Sequence, residues 1–184
     1  MAVPLQEALA GGRERGHALG ARILAAGRRV RPDVRDELAG RDLWRAQCSG
    51  LTEARGALAE ARKLDLKPVC VIVLDIRGSI VAAASEDGVS AMRARIAHGK
   101  ANAAIALGMG TRALMNRAEQ QAYFIQSING LAGGDMVPVP GGVLVRDASG
   151  GLLGAVGISG DTSDNDESAA LGGITAAGLE AETG

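Results

Sequence analysis

The clearest pattern is "KPVCVIVLDI", Lys67 to Ile76. It is short, continuous, apolar and β-branched, which predicts a strand buried on both faces. Arg77–Gly78 reads as a turn and "SIVAAAS" as the return strand of a hairpin, ended by "EDG". A second pair, "VLVRD" and "LLGAVGIS", follows "VPVPGG" and is joined by the turn signal "ASGG". Helical spacing fills the rest. Thr52 is a predicted N-cap, followed by a stripe of Ala54, Ala57, Leu58 and Ala61. "SAMRARIAHGKANAAIALG" is the strongest helix, with Met92, Ile96, Gly99, Ala103 and Leu107 on one face. Gly99 on that face predicts a close approach by another backbone. Further helices are expected from Thr111 to Ile128 and from Asp164 to Glu180, the latter turning Leu171, Ile174 and Leu179 inward. The order α, hairpin, α, α, hairpin, α calls for an antiparallel sheet, because parallel strands would need crossovers between them. Its strongly apolar strands call for helices on both faces, a three-layer α+β sandwich. Before this lies a stretch rich in Ala, Arg, Glu and Gly, with "RPDVRDELAGRDLWRAQ" as a separate short helix opened by Pro32 and Asp33. The expected organisation is a helical N-terminal extension over residues 1–50 and a main domain over 51–184.

Composition narrows the function. The 184 residues are 47% hydrophobic with a formal net charge of −1, so no general attraction to nucleic acid or an anionic membrane is expected. Trp44, Tyr123 and Phe124 are the only aromatics, too few for a base-stacking surface. Cys70 sits in an apolar run and reads as a buried thiol; with Cys48 and no CxxC, it suggests a reducing compartment. The first twenty residues lack the basic head and apolar run of a secretion signal, and no apolar run reaches membrane-spanning length. The expectation is a soluble, cytoplasmic protein.

Several chemical motifs fail on spacing. "GGLLGAVG" is not the dinucleotide G-x-G-x-x-G, and the Walker G-K-[ST] is absent. "GISG" is not a nucleophile elbow for Ser159, and only His17 and His98 exist to serve as base. "DTSDND" lacks the Ca²⁺-loop pattern; Ser163-x-x-Asp166 reads instead as a helix cap, and no metal site is expected. What remains is sparse. Lys100 lies mid-helix beside Ala97, Ala101 and Ala104, where a partly buried ammonium would clamp an anion or, with a lowered pKa, act as a base. His98 lies on another flank, near Arg95 and Asn102, with a side chain able to ligate iron or carry protons. The glycines of Pro140–Gly142 would let backbone amides approach a ligand. Asp75 is expected to cap the first hairpin turn.

Taken in order, "LDIRGSIVAAASEDG", "IAHGKANAAIAL", "PVPGGVLV" and "GLLGAVGISGDTSDND" resemble the GlcG/HbpS-like family from about Leu51 to Leu179. The resemblance implies a profilin-like fold, a five-stranded antiparallel sheet between helices, and homo-oligomers, dimers or octamers. It also implies a small-molecule ligand, with haem as the candidate cofactor. Family members resemble haem-binding or haem-degrading proteins, glycolate-operon proteins and a module of corrinoid adenosyltransferases. The implied pocket is walled by Glu86, Asp87 and Gly88, by Lys100, and by Pro140, Gly141 and Gly142, with Gly160 and Asp166 completing it. Where members often read R-M-D-G, this chain has Ser85-Glu86-Asp87-Gly88, exchanging an Arg for Ser and adding an acid. Three readings stand: a binding protein with His98 as the iron ligand; a cofactor-independent enzyme using Lys100 with Glu86 or Asp87 in acid–base work; or an accessory oligomer without chemistry.

Overall fold

The computed structural model describes the backbone from Val34 and side chains from Ser49 to Gly184. Residues Trp44–Gly184 form one compact unit, and all that follows lies within it except the N-terminal end of α1. The elements are α1 (Val34–Lys63), β1 (Cys70–Asp75), β2 (Ile80–Ser85), α2 (Arg93–Leu107), α3 (Thr111–Gln120), α4 (Ala122–Leu131), β3 (Gly142–Arg146), β4 (Leu152–Ser159), α5 (Ser163–Ala176) and β5 (Glu180–Glu182). The strands form one sheet in the order β2-β1-β4-β3-β5, antiparallel at every pairing.

The unbroken apolar run of β1 is explained by a helical layer on each face. Val71 and Val73 join Ala54, Ala57 and Ala61 of α1 and Ala169, Ala170 and Ile174 of α5. Cys70, Ile72 and Leu74 face the other way, against Ala97, Ala101 and Ala104 of α2. Small residues let helix and strand backbones nearly touch. At Gly157, a side chain would collide with the Ala97 carbonyl. Gly99 answers the close approach expected of it: Val137 packs over it and donates its N–H to the Gly99 carbonyl at 3.0 Å.

Four local readings are corrected. First, α1 runs unbroken through residue 50, so Thr52 starts no helix and the short "RPDV…" helix is not separate within the described residues. Gly50 is retained there because β2 is close: a methyl group on it would lie 3.0 Å from Val81. Second, the stretch 111–128 is two helices, broken at Gln121, whose φ of −138° leaves the helical region. Third, α2 buries Ala97, Lys100, Ala101 and Ala104 against the sheet while Met92 is 55% exposed, because alanine, not a large residue, fits the gap to β4. Fourth, α5 is capped by Thr162, which accepts from the Asn165 N–H at 3.3 Å, and not by Ser163 with Asp166.

Asp75 does cap its turn, accepting from the N–H groups of Arg77 and Ser79 at 2.8 and 3.0 Å. The short β5 has no sequence signal of its own; it forms because the chain after α5 lies along β3, where Arg146 pairs with Glu182.

Candidate functional site

α2 places two different chemistries on two flanks. On the sheet side, Lys100 Nζ donates to Asp166 Oδ2 at 2.8 Å, and both residues are 1% exposed. The other Asp166 oxygen accepts from the Asp161 N–H at 3.0 Å. Burial pushes the Lys100 ammonium below its ordinary range, while the Asp166 charge and hydrogen bond pull it back. The "PGG" turn closes over this pair. Gly141 takes φ +110°, and a methyl group there would lie 2.8 Å from Lys100 Nζ and 3.0 Å from Asp166. Gly142 presses on the Lys100 main chain, so it tolerates no side chain either. Thr111 then fixes the turn: its hydroxyl donates to the Gly142 carbonyl at 3.0 Å and accepts from the Gly142 N–H at 2.8 Å.

Lys100, Pro140, Gly141, Gly142 and Asp166 therefore gather in one region, where β3 and β4 meet α2 and α5, while Gly160 packs against Pro68 and Val69. The "EDG" turn is set differently. Glu86 turns to α1, where Arg62 grips both its oxygens at 2.7 and 2.9 Å and the Val69 N–H adds a bond at 2.8 Å. Asp87 is exposed in the turn with Gly88, whose φ is +90°. Neither acid touches Lys100, whose ion-pair partner is Asp166. The amides of "PGG" are likewise committed to the fold or covered, since Gly141 and Gly142 are both buried.

Sequence reasoning gave several members of this region no role. Arg93, seven residues before Lys100 and so on the same face of α2, donates to the buried Ser159 hydroxyl at 3.2 Å. Arg112 of α3 bridges to α5 through Glu167 at 2.6 Å and Asp164 at 2.5 Å. The Arg93–Lys100 spacing was a readable signal. The Arg112 bridge was not, because it spans elements far apart in the chain.

His98 lies elsewhere on α2, about 160° round the helix from Lys100. Its Nδ1 is 3.2 Å from Asp135 Oδ2, and its side chain is 27% exposed. Asn102, one turn on, donates to the Asp135 main-chain oxygen at 2.8 Å and steadies that acid. The other ring nitrogen, Nε2, has no partner among the described residues. A carboxylate on one imidazole nitrogen fixes the tautomer and leaves the other as a basic ligand. His17 lies outside the described residues.

Residues 51–175 match the sequence signature of the haem-degrading HbpS-like proteins. The chain belongs to the HbpS-like family. No curated protein matches it significantly. Among solved structures it is similar to HbpS of Streptomyces reticuli, solved as a double mutant, at 27% identity and a TM-score of 0.61, covering 70% of this chain and 84% of that one. The structure named PduOC:heme complex shares its fold at 24% identity and a TM-score of 0.65, covering 72% and 94%. Klebsiella pneumoniae ORFY does so at 21% and 0.63, covering 72% and 89%. No helix among the described residues is long and apolar enough to cross a membrane.

The family description makes haem the group to test against these side chains. Haem iron takes a neutral imidazole, and His98, with Nδ1 beside Asp135 and Nε2 without a partner among the described residues, fits that role. The Lys100–Asp166 pair does not: both residues are buried, and each is the other's ion-pair partner.

Proposed function

We propose that this HbpS-like protein binds haem through His98, with Asp135 as the group that orients the imidazole. One observation carries the reading: a partly exposed histidine whose Nδ1 lies beside a carboxylate and whose Nε2 has no partner among the described residues. Bound haem would supply a ligated iron centre; the chain's own part is to present Nε2 and hold its tautomer. The family description and the haem named with a structure of the same fold support this reading. A partly exposed ligand suits a ring held between copies of the chain, in keeping with an oligomeric, cytoplasmic binding protein. Lys100 and Asp166 then serve as scaffold, fixing α2 and the start of α5 at the end of the sheet. The acid–base reading of Lys100 with Glu86 or Asp87 has less support, since Arg62 holds Glu86 and Asp166 holds Lys100.

Titration with hemin tests the proposal. The wild type should give a saturable Soret shift, lost or weakened at least about tenfold in His98→Ala, and Asp135→Asn should weaken binding about tenfold or more. A shift that survives His98→Ala but is lost in His17→Ala would move the ligand to His17 and overturn the assignment.

A further inference from the structure

On the opposite side of the sheet from Lys100, a cavity of about 10 Å³ lies beneath α1, lined among others by Ser49, Glu53, Val73, Asp75, Val81 and Leu153. That is room for about one water molecule. Glu53 is 2% exposed. Its carboxyl group meets Ser49, yet Oε2 has no hydrogen-bond partner. A carboxylate buried this way is costly, because nothing replaces the water it has lost.

The described residues around Glu53 do not supply a counter-charge. From β1 comes Asp75, another acid, committed to Arg77 at 2.6 Å. From β2, β3 and β4 come Val81, Val145 and Leu153, all apolar. From α5 comes Gly173, so close that a side chain there would lie 2.5 Å from the Glu53 carbonyl. Among the described residues, no cation lines the cavity. The helix has little freedom to relieve the cost locally: a methyl group on Gly56 would sit 2.8 Å from Ala176.

We propose that Glu53 is a proton-operated latch on α1: protonated, it lets the helix lie on the sheet, and when it loses its proton to solvent the segment from Ser49 to Lys63 loosens. Burial raises the carboxyl group from 4.5 to about 7, with the Ser49 hydrogen bond opposing in part. The sign follows. The closed form holds the proton more tightly than the open form, so closure is favoured below about 4.5 and that advantage is lost as pH rises to about 7. The segment would thus open more readily on the alkaline side of neutrality.

Hydrogen exchange of the full chain, corrected for intrinsic rates, tests this. Between about pH 6 and about pH 8 the opening equilibrium of the α1 amides should rise about tenfold in the wild type and stay level in Glu53→Gln. The same rise in Glu53→Gln, or no rise in the wild type, overturns the latch. Should Glu53→Gln fail to fold, the carboxyl ¹³C titration of Glu53 in the wild type decides. A midpoint near 7 upholds the proposal, and one below about 5 removes it.

Discussion

A single glycine illustrates how tightly the centre of the molecule is specified. Gly141 combines a positive φ with direct contact against the Lys100–Asp166 pair. Gly141→Ala should destabilise the protein by about 2–4 kcal/mol, adding backbone strain to overpacking, as measured by denaturant unfolding. The ion pair itself is asymmetric in the usual way of buried charges. Asp166→Asn or Lys100→Ala, leaving its partner stranded, should each cost about 3–5 kcal/mol. The double replacement Lys100→Met with Asp166→Leu should cost much less than the sum of the single changes. A simple sum from the same unfolding curves would show that the two charges do not act as a pair. The sequence revealed that Lys100 sits among alanines, but not which acid would meet it. Asp166 was read as a cap because its local spacing fitted one, and its partner lies 66 residues away.

At the scale of elements, packing is decided by small residues rather than large ones. Gly173 of α5 is the sharpest case, since an added methyl group would lie 2.8 Å from Ala57 of α1. Alanine favours a helix over glycine by about 1 kcal/mol, yet here Gly173→Ala should lower stability by about 1–3 kcal/mol, because α1 and α5 must separate. A rise in thermal midpoint would contradict this close packing. The same chemistry explains what could be read in advance. β1, both hairpins, the position of α2 and the turn capped by Asp75 have strong local signals, and they form where expected. The continuity of α1 was hidden by Thr52, which reads as an N-cap in sequence, and Gly50 beside it is a contact with β2 in space. The break at Gln121 carries no glycine or proline to announce it. β5 is three residues long and exists only through its pairing with β3.

For the whole molecule, the sheet separates three uses of ionisable side chains. Lys100 and Asp166 are sealed at one end of it, Glu53 lies under the helices on one face, and His98 stands partly exposed on the other side of α2. Of the residues implied by family resemblance, Lys100, Gly141, Gly142 and Asp166 are brought into contact, while the acids of the "EDG" turn are not. The resemblance thus indicated a meeting point, and the structure shows it closed; Nε2 of His98, without a partner among the described residues, is the atom proposed to ligate iron. Resonance Raman spectroscopy of the ferrous haem complex addresses that atom most directly. The account predicts an iron–histidine stretch in the wild type, its loss in His98→Ala, and its return when imidazole is added to the variant. An unchanged iron–histidine band in His98→Ala would contradict it.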